Sequence, residues 1–351
     1  MTTPTTMGGR RDAAAPIRLH VQCPPDDPRF AVTRAQVDAA LARRPGPAPR
    51  VVATIAHDDA GFAAAMPEAE VLLTWTREGR ARLAPLGRDG LRALAPRLRV
   101  VAFTSAGVER LAPFDWVPEG VAVLNNRGTH ADKAGEFGIM AILMLRNHVP
   151  HFAEAQREGR WDARFASTLA GETLGVVGIG GLGGAVAARA KAFGMRVVGV
   201  RGGDPRPHEG CDEVVSERDL DAVLPRCAFL FLACPLTERT RGLLSRERIA
   251  RFPPGACVIN IARAGVWDEA AVCDALDAGH LAYALTDVAD PEPLPPDARP
   301  WRTRGMFVTP HMSSDDPATY NDRTLDILLD NLRAEAEGRP MPNRVDPARG
   351  Y

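Results

Sequence analysis

The spacing with most chemical content in this 351-residue chain is Gly178-Ile179-Gly180-Gly181-Leu182-Gly183. It fits G-x-G-x-x-G, with an apolar strand-like run (LGVV) before it and an Ala-rich helical stretch (AVAARAKAF) after it. In that setting the first glycine permits a tight turn, the second lets the backbone approach a pyrophosphate, and the third lets helix and strand pack closely, with the phosphates at the helix N-terminus. A dinucleotide site ordinarily closes its second strand with an acid that binds the ribose hydroxyls. Here MRVVGV runs instead into Arg201-Gly202-Gly203-Asp204. An arginine at that place suits a ribose 2′-phosphate, Gly202 and Gly203 leave space for it, Arg206 offers a second cation, and Asp204 is the nearest acid. The expected cofactor is NAD(P), with NADP(H) preferred or both forms accepted.

Such a turn needs a parallel sheet to hold it. A first series of short β-branched runs, IRLHVQC (17–23), RVVATIA (50–56), AEVLLTW (69–75), RVVAFTS (99–105) and VAVLNN (121–126), alternates with helical patterns around 30–44 and 87–95, with PGPAP at 45–49 as a loop. A second series begins at Thr173 and alternates TLGVVGIG, MRVVGV, CAFLFLAC, ACVINIA, YALTDV and MFVTP with helices at 182–194, 217–225, 246–251 and 268–279. Strands spaced by helices point to parallel sheets covered on both faces. Between the series, ADKAGEFGIMAILMLRN (131–147) is apolar on nearly every side in its second half and reads as a buried helix, at a junction or in an ordinary core. His130 and Asp132 read as helix-start residues. A last helix at 317–338 could carry the chain back to the first series. The expected architecture is α/β: two Rossmann-like, doubly wound lobes, a cofactor lobe at 126–310 inserted into a flavodoxin-like substrate lobe at 16–125 and 311–351, after a frayed N-terminus at 1–15.

Five segments in order, STLAGETLGVVGIGGLGGAVAARAKAFGMRVVGV, CPLTERTRGLL, NIARAGVWDEAAV, DVADPEPLP and TPHMSS, resemble the signature segments of the D-isomer-specific 2-hydroxyacid dehydrogenases. Phosphoglycerate dehydrogenase and the glyoxylate/hydroxypyruvate reductases belong to that family. The resemblance runs from about Val100 to the C-terminus and is diffuse before it. It implies hydride transfer between a nicotinamide cofactor and a small D-2-hydroxy acid or 2-keto acid. Within it, Arg263 binds substrate, Glu292 assists, and His311 is the acid/base. Asp287 would hold the nicotinamide carboxamide, and the backbone amides of Ser105-Ala106-Gly107 the substrate carboxylate. The family's cofactor contacts fall on Gly178, Gly180, Gly181, Leu182, Gly183, Arg201, Pro235, Ile261, Ala262, Arg263, Asp287 and His311. Relatives pair through their cofactor lobes, which implies a homodimer.

The residue types suit that chemistry. Reducing a keto acid brings a hydride to the carbonyl carbon and a proton to its oxygen, so a group that titrates near neutrality must sit beside it. A neighbouring carboxylate fixes the imidazole tautomer, and a planar guanidinium neutralises and orients the substrate. Ala264, Gly265, Trp267 and Ala289 depart from the family pattern and put the shape of the substrate pocket in question. Glu292 argues against a formate dehydrogenase, whose relatives usually carry an amide there. A dinucleotide-sensing, corepressor-like binding protein on the same fold is the alternative, disfavoured by the lack of long tails and basic patches.

Composition bounds the rest. With 45% hydrophobic and 25% charged residues the chain reads as an ordinary globular protein of two domains. A net charge of -1 gives no global attraction to nucleic acid or an anionic membrane. Of 43 basic residues only Lys133 and Lys191 are lysines, so a lone arginine is weak evidence of function here. The six cysteines form no C-x-x-C pair and no metal-site spacing, so no metal is expected. With neither a signal-like apolar run nor a membrane-length one, the expected location is the cytoplasm.

Overall fold

The computed structural model describes residues 15–23, 31–43 and 50–347. The N-terminal segment expected to fray, up to residue 14, and the loop expected at 45–49 lie outside them. The chain divides into two compact units, unit 1 up to Thr129 and again from Asp316, and unit 2 over His130–Asp315. These crossings fall a few residues beyond the 125/126 and 310/311 boundaries read from the sequence, and His311 therefore goes with unit 2. Local hydrogen bonds explain the difference. The Asn126 side chain donates to Thr104 O and Thr324 Oγ1 in unit 1, whereas the Met312 and Ser313 amides donate to Asp287 in unit 2.

Unit 1 begins with β1 (Ile17–Gln22), α1 (Arg34–Ala42), β2 (Val51–Ala56), α2 (Asp59–Ala65), β3 (Val71–Thr74), α3 (Thr76–Leu83), α4 (Gly87–Leu94), β4 (Val100–Phe103) and β5 (Ala122–Leu124). Its sheet is wholly parallel in the order β2-β1-β3-β4-β5, with Leu19 opposite Val71 and Leu73 opposite Ala102. Strands covered on both faces need side chains that tolerate burial at every position, and all four residues of both β3 and β4 are buried. Thr33 and Gln36 close a reciprocal capping box at the start of α1.

Unit 2 opens with α5 (Ala131–Arg146) and α6 (Val149–Arg157), then β6 (Thr173–Val177), α7 (Gly181–Ala192), β7 (Arg196–Arg201), β8 (Glu213–Ser216), α8 (Leu220–Val223), β9 (Phe229–Leu232), α9 (Arg246–Ile249), β10 (Ala256–Asn260), α10 (Glu269–Asp277), β11 (Leu281–Thr286) and β12 (Met306–Val308). The seven strands run in the order β12-β11-β10-β9-β6-β7-β8, every pair parallel. The order reverses between β6 and β9, and in open α/β sheets ligands bind outside the strand ends at such a switch point. Helix α5 buries Ala134, Phe137, Ala141, Ile142 and Leu145, and packs on α7. Its glycines allow that approach: a Cβ on Gly138 would stand 2.5 Å from Val186 Cγ2. The buried-helix reading of 131–147 thus holds as core packing, although Met140 stays 41% exposed and shares a surface groove of about 670 Å³ with Leu143, Met144, Val149 and Phe193.

The chain returns to unit 1 as α11 (Tyr320–Ala336), whose Leu325, Leu328 and Leu332 join the core that β1, β3 and α1 build. All six cysteines are unpaired, and all but Cys211 are buried. Burial pushes the Cys227, Cys234 and Cys257 thiols up to about 12. Among the described residues no helix is long and apolar enough to cross a membrane.

Candidate active site

The glycine turn lies between β6 and α7, at the switch point of the unit 2 sheet. Gly178 has φ 92°, in the region that favours glycine, and a Cβ there would lie 2.7 Å from the backbone of Cys234. A Cβ on Gly183 would come within 2.0 Å of Gly178 O, so helix and turn touch there. Gly180 differs from both, because a Cβ on it would meet nothing within 4 Å. Open space therefore stands beside Gly180 at the N-terminus of α7, where a helix leaves its first backbone N–H groups without intrahelical partners.

Arg201 is the last residue of β7, beside the turn, since Gly178 N donates to Val200 O at 2.8 Å. Its Nε is buried with no hydrogen-bond partner among the described residues. Pro235 follows β9 and is exposed, its carbonyl accepting from Thr240 Oγ1 at 2.6 Å. Ile261 and Ala262 follow β10 and are buried.

Asn260, at the end of β10, shapes the segment that carries Arg263. Its Oδ1 accepts from Ala262 N at 2.9 Å while its Nδ2 donates to Arg263 O at 3.2 Å. Arg263 itself donates from Nη1 to Ala262 O at 2.8 Å. Trp267, which departs from the family pattern, is 4% exposed and lies in the unit 2 core with Leu244 and Val266.

His311 sits past β12 on a turn whose geometry is unusual, with φ 51° in the left-handed region. For a residue with a Cβ that conformation costs roughly 1–2 kcal/mol, so neighbouring bonds must hold it. Asp287, 1% exposed just past the end of β11, does so. Its carboxylate accepts from Thr309 Oγ1 at 2.6 Å, from Met312 N at 3.0 Å and from Ser313 N at 2.9 Å. Asp287, which the family resemblance assigns to the nicotinamide carboxamide, thus also anchors the histidine turn, a contact that no local spacing marks.

Held there, His311 Nδ1 lies 3.0 Å from both oxygens of Glu292, between β11 and β12. Glu292 Oε1 also accepts from Ala289 N at 3.1 Å. Burial alone would push the Glu292 carboxyl up. The His311 hydrogen bond, the Ala289 amide and the positive charges of His311 and Arg263 outweigh it and hold the carboxyl below its ordinary value. A carboxylate only accepts, so Nδ1 carries its proton toward Glu292 and Nε2 is left to exchange a proton elsewhere. Two further residues stand by this cluster: Asn260, which the sequence does not single out, and His130, expected only to start a helix, whose imidazole feels the charges of both Arg263 and His311.

Ser105, Ala106 and Gly107 belong to unit 1, on the loop after β4, and are half-buried. The loop is tied at Thr104 O, which accepts from Asn126 Nδ2 at 2.7 Å and Tyr320 Oη at 2.6 Å, and at Ser105 O, which accepts from Asn126 N at 3.0 Å. Among the described residues, no group of three or more His, Cys, Asp or Glu is placed to hold a metal ion.

A family model described as D-isomer specific 2-hydroxyacid dehydrogenase, NAD binding domain, matches residues 139–313, the stretch that carries the glycine turn, Arg263, Glu292 and His311. Over 261 residues the chain is 31% identical to the glyoxylate reductase of Korarchaeum cryptofilum, covering 72% of this chain and 77% of that one. The chain belongs to the D-isomer-specific 2-hydroxyacid dehydrogenase family. Another of these dehydrogenases, the D-3-phosphoglycerate dehydrogenase of Mycobacterium tuberculosis, is 32% identical over 291 residues, which are 82% of this chain but 53% of that enzyme. The chain thus spans about half the length of the phosphoglycerate dehydrogenases it matches. A solved family structure, from Xanthobacter autotrophicus in complex with NADPH and MES, aligns at a TM-score of 0.79 and 31% identity, covering 96% of this chain and all of that one.

Proposed function

We propose that this chain is an NAD(P)-dependent oxidoreductase interconverting a small 2-keto acid and its D-2-hydroxy acid. The observation that carries the reading is the His311–Glu292 pair, 3.0 Å apart and within the electrostatic reach of Arg263. The bound nicotinamide cofactor would supply or accept the hydride. The residues that would hold it are those of the Gly178–Gly183 turn, with Arg201 toward the ribose and Pro235, Ile261 and Ala262 at the ends of β9 and β10. Arg263 would bind the substrate's carboxylate or keto oxygen through its planar fork and neutralise charge there. In the reducing direction the His311 imidazolium gives the Nε2 proton to the carbonyl oxygen, and Glu292, hydrogen-bonded at Nδ1, stabilises the charge before transfer and keeps the ring oriented. In oxidation the same nitrogen takes the hydroxyl proton back.

The buried, unpartnered Arg201 Nε supports use of NADPH, and a family structure that aligns with this chain holds that cofactor. The exposed apolar groove formed by α5, Val149 and Phe193 supports a homodimer pairing there. Six unpaired cysteines accord with a cytoplasmic location.

The test is a reduction screen over glyoxylate, hydroxypyruvate, pyruvate, phenylpyruvate and phosphorylated keto acids, each with NADH and NADPH. Turnover is expected with at least one pair, and His311→Ala should lower kcat by roughly 10²–10⁴-fold while leaving cofactor affinity in place. Tight cofactor binding with no turnover on any substrate would instead support the corepressor-like reading.

A further inference from the structure

Two anchors hold the turn that follows His311. Asp287 fixes Met312 and Ser313 through their amides. The next residue, Ser314, has its carbonyl 3.0 Å from Nδ1 of His130, and Asp315 Oδ1 stands 3.6 Å from the same nitrogen. His130 opens α5, 184 residues earlier in the chain, and is 8% exposed. A carbonyl only accepts, so the proton on Nδ1 is donated to Ser314. Neither the glycine turn nor the His311–Glu292 pair accounts for a buried histidine at that position.

Its surroundings favour a fixed, neutral donor. Burial lowers the readiness of His130 to protonate. The Ser314 carbonyl and the Asp315 carboxylate oppose that, and the positive charges of Arg263 and His311 reinforce it. The N-terminal end of α5 adds a further partial positive charge. In the neutral form with Nδ1–H, the ring makes a directed bond to Ser314 O, and its lowered readiness to protonate favours that form.

We propose that His130 is a positioning residue for the acid/base: its bond to Ser314 O, together with the Asp287 bonds, keeps the His311 turn in its left-handed conformation and the imidazole against Glu292. This inference rests on the reading of His311 as the acid/base. A residue held in a sparsely populated conformation persists only where its neighbours over-determine it, and displacing a catalytic group by about 1 Å can cost up to about 10²-fold in rate.

The experiment compares the full-length wild type with His130→Leu, His130→Asn, His130→Gln and His311→Ala. The Asn amide reaches about where Nδ1 lies and can donate the same bond, whereas the Gln amide sits one bond farther out. His130→Leu is expected to lower kcat about tenfold, with KM for the keto acid and Kd for NADPH changed less than about twofold, and to bring the alkaline limb of the reduction profile to lower pH. His130→Asn should recover kcat to within about threefold of wild type and His130→Gln should not. Amide hydrogen exchange supplies a readout that needs no turnover. Met312 and Ser313 should exchange about tenfold faster in the Leu variant and near the wild-type rate in the Asn variant. If His130→Leu fails to fold, the Asn and Gln variants make the same comparison. The proposal is overturned if the folded variants keep the wild-type kcat, pH profile and exchange rates, or if Asn does no better than Gln. Turnover retained by His311→Ala would sink the acid/base reading itself, whereas loss in His311→Ala with His130→Leu unchanged would sink this inference alone.

Discussion

At the scale of single residues, charge and shape can be separated at two positions. Glutamine in place of Glu292 keeps an acceptor at nearly the same place but removes the negative charge that favours a protonated neighbour. Glu292→Gln should therefore lower kcat for reduction by about 10–100-fold and move the alkaline limb of its pH profile to lower pH. A profile that keeps its shape and position would show that Glu292 only fills space. Arg201 offers the second separation. Its Nε waits buried at the end of β7, and Arg201→Asp would exchange that donor for an acceptor of ribose hydroxyls that repels a 2′-phosphate. We expect kcat/KM for NADPH to fall by about 10²-fold and the NADPH/NADH ratio to reverse, since a like charge facing a phosphate costs several kcal/mol. Should both cofactors keep their wild-type kcat/KM values, Arg201 is one more arginine in an arginine-rich chain.

At the scale of elements, Gly180 and Gly183 of the turn should fail differently. Gly183→Ala drives a Cβ to 2.0 Å from Gly178 O, a backbone atom that cannot rotate away, so α7 must shift and stability should fall by about 1–3 kcal/mol. Gly180→Ala meets nothing, so its Tm should stay near wild type while cofactor affinity drops about tenfold or more. Titrating cofactor into both variants alongside thermal melts checks this, and an unchanged affinity in Gly180→Ala would remove the phosphate from that space. The same elements show where pattern speaks and where it is silent. Strands such as β9 (FLFL) and β10 (ACVIN) are legible because a parallel sheet covered on both faces demands unbroken apolar runs. Strand β8 is an edge strand, half-buried throughout and flanked by charge, so no unbroken apolar run marks it. Helices α2 and α3 went unseen for a related reason, since α2 buries only Phe62 and α3 only Gly79 and Leu83. In the site, the order of Arg263, Glu292 and His311 was legible through the family resemblance. The anchoring by Asp287 and the bond from His130 to Ser314 join residues far apart in the chain, which no local spacing encodes.

At the scale of the whole molecule, pH acts on folding through histidines that the fold keeps neutral. His20, 1% exposed in β1 with its ring nitrogens 2.9 Å from Thr54 Oγ1 and 3.1 Å from Gln22 Oε1, is lowered by burial against both hydrogen bonds. His130 is lowered as well. Below the ordinary histidine value of about 6.5 the unfolded chain binds protons that these two sites refuse, so their contribution is complete above that pH and is lost as pH falls through the lowered folded-state values. Each site can steepen the dependence by at most about 1.4 kcal/mol per pH unit. Denaturant melts from pH 7.5 down to pH 5 should show falling stability, and His20→Gln should flatten the slope. An unaltered slope in that variant would mean His20 titrates alike in both states. The thiols follow similar physics to a practical end. Because burial raises the Cys227, Cys234 and Cys257 thiols to about 12 and raises Cys23, Cys211 and Cys273 too, few of the native sulfurs are thiolate near neutrality. A cysteine introduced at an exposed position would therefore outcompete them for maleimide. Dyes or spin labels can therefore be directed to such a position with the five buried cysteines left in place and only Cys211, the one that is not buried, replaced first.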